Sequence, residues 1–207
     1  MSLPSVDFVR NRIESISEKP YRMACMSALL FSGRISEVVS KSWGKEKVYG
    51  PCGTDVIQDY YILGEKKVDC VVFNVKTAKR EGLLRKIALP LDFEPWAQPL
   101  YDYFREFGKE PVFPFSRHEV WRAVVKAAKA FQGLTYPIYK YVVWKDGKLE
   151  KTVNEHQRTY TLHALRHSRS NELVEYFGFD GFNLAAYCGW TISTAQSGFG
   201  IRTPQVM

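Results

Sequence analysis

Three short segments carry the side chains best suited to act on a charged substrate, and they lie far apart in the chain. In LLFSGRISEVVS a single arginine, Arg34, follows Ser32-Gly33, with Glu37 three residues later. In isolation that pair reads as a surface salt bridge at i, i+3 on a helix that Arg34 begins. FNVKTAKREGLLRKIALP places Lys76 where an apolar run ends, with Lys79, Arg80, Arg85 and Lys86 around the turn that follows. A solvated charged hairpin accounts for most of these cations. It does not account for a tip in which Glu81 is the only opposing charge between Lys76 and Lys86.

The third segment, TLHALRHSRSNELVEYFGF, sets His163 and Arg166 one helical turn apart, with His167 and Arg169 beside them. Two histidines at i, i+4 are a conceivable metal clasp. No Glu follows His163 in the H-E-x-x-H manner, and no third ligand stands near. A histidine next to an arginine that meets a phosphate explains the same residues more simply, so neither a metal nor a cofactor is assigned. Downstream, LAAYCGWTISTAQSGFGIRT holds Trp190 directly after Gly189, at a helix boundary.

These residues need elements to bring them together. From Val6 to about Ser40 apolar residues recur at helical spacing, with Pro20 dividing the stretch into two helices and suited to the first turn of the second. From Asp55 to Pro90 the runs VIQDYYIL, VDCVVFNV and RKIALPL predict a small antiparallel three-stranded sheet with Lys76 at its tip. Helices resume from Glu94 to Phe107 and after Ser116, where Glu119 completes a capping box. YPIYKYVVWKDGKLEKTV predicts a further hairpin turning at Asp146-Gly147. From about His163 three short helices are expected, broken at Gly178, Gly181 and Gly189. The class is α+β, mainly helical with a small sheet inserted.

Composition narrows the field. The chain has 207 residues, 45% of them hydrophobic, enough to fold as one domain without staples. There is no internal repeat or linker-like tract. Lys and Arg number 29 against 22 Asp and Glu, a formal charge of +7, which favours a polyanionic partner without identifying one. Cys25, Cys52, Cys70 and Cys188 are scattered and read as small hydrophobes in a reducing compartment. Neither a membrane span nor a signal peptide is indicated, so a soluble intracellular protein is expected.

Taken in order, Arg34 in Gly-Arg-Ile-Ser-Glu, Lys76 in a strand-turn-strand, His163-x-x-Arg166-His167-Ser168, and Gly189-Trp190 followed by Ser-Thr-Ala-Gln resemble the successive boxes of the tyrosine recombinase (phage integrase) catalytic domain. The resemblance runs from about residue 20 to residue 202. Trp190 fills a position that is usually His in the family and Trp in some members. Nine residues further on, where the family has its nucleophilic tyrosine, stands Phe199, and no tyrosine follows Trp190. Tyr187 precedes the box and would face the wrong way. A replacement that traps an inert form is the favoured explanation, because Tyr to Phe removes one oxygen. Natural loss, or a tyrosine donated in trans by another chain, are the alternatives.

The resemblance implies duplex DNA as partner, other copies of the chain assembled on it as a tetrameric synapse, and a nucleoid-associated location. It implies attack of a tyrosine on the scissile phosphate, a 3′-phosphotyrosyl link and a free 5′-hydroxyl, with no metal or nucleotide. Arg34 and Arg166 would hold non-bridging oxygens, and Lys76, or failing that Lys79, would protonate the leaving oxygen. His163 would accept the nucleophile's proton or brace the phosphate. Trp190 would donate one hydrogen bond. Glu37 and His167 would support these groups from behind, and Lys79, Arg80, Arg85 and Arg169 would contact DNA. Family members usually carry an N-terminal DNA-gripping domain, so a fragment of a longer protein is expected.

Three rivals remain. A non-catalytic DNA-binding protein derived from the same fold is supported by Phe199. A metal-dependent nuclease would need clustered carboxylates, and Glu46, Asp92 with Glu94, and Glu172 with Glu175 sit in helical or charged-face contexts. Type IB topoisomerases share the chemistry but usually carry further large domains.

Overall fold

A computed structural model describes residues 4–43, 46–48, 50–77, 84–142 and 152–191. Helix α1 (Val6–Glu14) begins where Ser5 Oγ accepts a hydrogen bond from the Phe8 amide, and it buries Val9 and Ile13. Helix α2 (Lys19–Leu30) carries Pro20 in its first turn, where a missing N–H costs nothing, and its residues from Met23 to Leu30 are all buried. It is the central helix of the molecule. It ends in a reversal at Ser32, whose φ is +42°, and Arg34 in extended conformation then caps the short helix α3 (Ile35–Val38).

A hairpin that periodicity did not reveal follows: β1 (Lys41–Trp43) pairs antiparallel with β2 (Glu46–Val48). The expected sheet is present, with β3 (Val56–Leu63), β4 (Lys66–Lys76) and β5 (Leu84–Pro90) antiparallel in that order. Alternation along β4 sends Val71, Phe73 and Val75 into the main core, while Val68, Cys70 and Val72 form a small cluster with Ala88 on the other face. Helix α4 (Ala97–Arg105) buries Leu100, Tyr103 and Phe104. Phe104 lies edge-on to Phe73 at 5.0 Å, and Phe31 meets Phe73 at 5.0 Å, so α2, the sheet and α4 share one aromatic contact.

The capping box at Ser116 forms as expected: its Oγ accepts from the Glu119 amide and its own amide donates to Glu119 Oε2. Helix α5 (Arg117–Val120) then widens into i→i+5 turns over Trp121–Ala127. Strands β6 (Thr135–Val142) and β7 (Thr152–Thr159) pair antiparallel, and Asp146-Gly147 lies outside the described residues. Helices α6 (Ala164–Glu175) and α7 (Gly181–Cys188) follow. Gly181 opens α7 behind the Asp180 cap rather than breaking a helix, and the third expected helix falls on residues not described.

The fold is thus mixed α and β with a small three-stranded antiparallel sheet. One buried cluster runs from Val9 to Leu165. Among the described residues no helix is long and apolar enough to cross a membrane, and the four cysteines are free.

Candidate functional site

The centre of the site is a buried carboxylate. Glu37 points back across the start of α3, where its Oε2 accepts from the Arg34 amide at 3.1 Å and its Oε1 from Arg34 Nη1 at 3.4 Å. Arg85 Nη2 donates to Oε2 at 3.0 Å, and Arg166 Nη1 lies 3.8 Å from the same oxygen. Three guanidiniums surrounding one carboxylate leave excess positive charge, which suits an anionic ligand. The approach is tight: a Cβ on Gly33 would sit 3.2 Å from Glu37 Oε2.

Arg166 is the most constrained of the three. Its Nη2 donates to the Cys188 carbonyl at 2.9 Å, and its guanidinium lies 4.8 Å over the Trp190 ring, a cation–π contact. Nη1 is buried without a hydrogen-bond acceptor. Burial pulls the Arg166 pKa below the ordinary guanidinium range; Glu37 opposes that pull, and Arg34 and Arg85 add to it. Behind it, Ser32 Oγ donates to the Arg166 carbonyl and meets Ser170 Oγ at 2.9 Å, while Cys188 Sγ donates to Ser32 Oγ. The ends of α2, α6 and α7 are pinned together there.

His163 precedes α6 and is exposed. Partial loss of hydration, then the cations Arg166, Arg34 and Arg158, lower its pKa and favour the neutral ring. His167 stands with its ring perpendicular to that of His163, centroids 5.2 Å apart, and 5.8 Å from the Tyr136 ring. Burial first, then His163 and Arg166, push its pKa down to about 4. Among the described residues no group of three or more His, Cys, Asp or Glu could hold a metal.

Arg34, Glu37, Arg166 and Trp190, spread over more than 150 residues of sequence, are therefore linked by contacts, and His163 stands directly before the helix that carries Arg166. Lys76 closes β4 opposite Leu84, with its side chain exposed. The next residue, Thr77, lies against Gly189: a Cβ there would be 3.0 Å from Thr77 Cγ2. Lys79, Arg80 and Phe199 lie outside the described residues. Tyr187 faces inward, its hydroxyl donating to the Leu30 carbonyl at 2.5 Å, which leaves it unsuited to attack a bound substrate.

Two expectations are corrected. Arg85 is not a surface cation of the hairpin tip but is buried, bonded to Glu37 and to the Phe31 and Tyr187 carbonyls. The alternation of Ile87 and Leu89 already put Arg85 on the inward face of β5. Arg169 is likewise buried, paired with Glu172 and 3.8 Å from Glu94. Burial disfavours its charge, but Tyr187 and Glu172 outweigh that and raise its pKa. Its place four residues after Leu165 and four before Leu173, both buried, was the sequence signal. Arg10, bound through both Nη atoms to Glu94, completes this second network and anchors α1 against α6. Glu94 and Glu172 do converge, but onto guanidiniums.

No protein-family model, curated protein or solved structure matches the chain.

Proposed function

We propose that this chain is the catalytic domain of a DNA strand-cleaving and rejoining enzyme of the tyrosine recombinase type, in a form that lacks its nucleophile. The observation that carries the reading is the meeting of Arg34, Arg85 and Arg166 on Glu37, with Trp190 packed on Arg166 and the buried Arg166 Nη1 lacking a hydrogen-bond acceptor. An orphaned donor of this kind costs about 1–3 kcal/mol. A phosphate oxygen brought to it would remove that cost and receive a charge-assisted bond.

In this reading Arg34 and Arg166 hold the two non-bridging oxygens of a phosphodiester and stabilise the charge that grows in the pentavalent transition state. A tyrosine hydroxyl attacks phosphorus: the new bond is Tyr O–P, the bond broken is P–O5′. The phenolic proton passes to neutral His163, and Lys76 delivers a proton to the departing 5′-oxygen. Trp190 cannot shuttle protons; it packs on Arg166 and offers only its N–H. Glu37 fixes the arginines without touching substrate. With Phe199 at the nucleophile's place, the chain binds DNA and stops there.

A second reading, a non-catalytic DNA-binding protein built on the same scaffold, is favoured by Phe199 alone. Both require binding of duplex DNA with affinity that falls steeply as salt rises. Fluorescence anisotropy over a range of salt concentrations tests this; an affinity indifferent to ionic strength contradicts both. Covalent capture of DNA by the Phe199→Tyr variant separates them.

A further inference from the structure

An open groove of about 320 Å³ beside the Glu37 cluster is lined by Ile35, Arg117, His118, Trp121, Thr161 and Leu162. Two of its walls are chain neighbours of site residues: Ile35 follows Arg34, and Leu162 precedes His163. The groove and the Glu37 cluster therefore adjoin along the chain at Arg34–Ile35, and the groove adjoins His163 at Leu162.

The lining combines two chemistries. Ile35, Leu162 and the Trp121 ring offer flat apolar surface, with the His118 ring edge-on to Trp121 at 6.5 Å. Arg117 adds a cation to the lining, and Lys126 Nζ lies 4.9 Å from the Trp121 ring; Arg122 and Lys129 are exposed on the same segment. The segment's one carboxylate, Glu119, is turned back onto the Ser116 amide. A free phosphate would leave the indole and the aliphatic floor bare, and an apolar peptide would leave the cations unmatched. A nucleobase still joined to its phosphodiester matches both, since every base has a π-face to stack and a phosphate to pair.

We propose that this groove receives one unstacked base of the DNA strand whose phosphate is held by Arg34 and Arg166. The proposal rests on the DNA-cleavage reading and adds to it a base-binding subsite, with Trp121 as the stacking residue. Unpairing a base costs least where it is already unpaired, so the groove confers a preference for duplex containing one extrahelical base.

The test is an anisotropy titration of the chain with three duplexes of one sequence: fully paired, with a single-base bulge, and with an abasic bulge. The bulged duplex is expected to bind at least about fivefold more tightly than the paired one, the scale of one base–aromatic stack. The abasic bulge should lose that gain. Trp121→Ala should abolish the preference while leaving paired-duplex affinity and its salt dependence unchanged, and Trp121→Phe should keep most of it. Equal affinity for base and abasic bulges, or a preference that survives Trp121→Ala, overturns the groove alone. Failure to bind the paired duplex in a salt-dependent way overturns the DNA reading, and the groove with it.

Discussion

Arg85 Nη2 lies 3.0 Å from Glu37 Oε2, and both side chains are almost completely buried, at 3% and 2% exposure. Through this pair the hairpin that ends in Lys76 is joined to the helix that Arg34 caps. The same guanidinium also donates to the carbonyls of Phe31 and Tyr187, so it fixes the ends of α2 and α7 relative to the sheet. Arg85 is a positioning residue, and it acts on the site through Glu37.

Removing one partner of a buried pair costs about 3–5 kcal/mol, because the other charge is left inside. Arg85→Met is therefore expected to destabilise the fold by that amount in urea unfolding. Lys86→Met, at the exposed position next to it, should change stability by no more than about 0.5 kcal/mol. Equal effects at the two positions would show that Arg85 does not hold the hairpin.

Gly189 and Gly178 have nearly the same backbone, with φ of +64° and +65°, but different surroundings. A Cβ at Gly189 would lie 2.7 Å from Arg85 Cδ, whereas at Gly178 there is nothing within 4 Å. Gly178→Ala should lose only the cost of a left-handed residue, about 1–2 kcal/mol. Gly189→Ala should lose clearly more in thermal or urea unfolding, because Arg85 must move. Similar losses at the two glycines would contradict the packing of the Gly189-Trp190 turn on Arg85.

His167 makes stability depend on pH. Its pKa is about 4 in the folded chain against about 6.5 in the unfolded one. Between those values the unfolded chain binds a proton that the native one refuses. Stability attributable to His167 is therefore complete above pH 6.5, declines as pH falls toward 4, and changes no further below it. The full difference is on the order of 3 kcal/mol. In urea titrations at pH 7 and pH 4.5, His167→Phe should show a smaller loss between the two than the native chain. An unchanged loss would remove His167 from the account.

Much of this architecture was legible in the residues themselves. The β-branched runs of β3 to β5 alternate, the Ser116–Glu119 box is local, and Arg34 follows a Ser-Gly reversal, so each announces its element without tertiary information. The β1–β2 hairpin was not legible, because strands of three residues carry too little periodicity. Arg85 and Arg169 were misread for a different reason. A cation's charge suggests solvent, and only its position on a strand face or helix stripe reveals burial; their partners Glu37, Glu94 and Glu172 lie far away in sequence. The contacts linking Arg34, Arg166 and Trp190 agree with their order in the sequence, and Glu37 supports the arginines from behind as expected; its bond to Arg85 was not legible, because Arg85 was read as a surface cation.

The most direct test of the central claim is covalent capture. The Phe199→Tyr variant is mixed with duplexes drawn from the protein's natural target, nicked so that the cleaved strand is released, and the products are resolved under denaturing conditions. A protein–DNA adduct bearing a 3′-phosphotyrosine is expected. It should be absent from the native chain, absent when Arg166→Ala is added, and greatly reduced by Lys76→Ala. The native chain is also mixed with a Phe199→Tyr, Arg166→Ala chain, each inert alone, and an adduct formed only in that mixture assigns donation in trans. No adduct in any combination, with DNA still bound, would contradict the strand-cleavage reading and leave a DNA-binding protein.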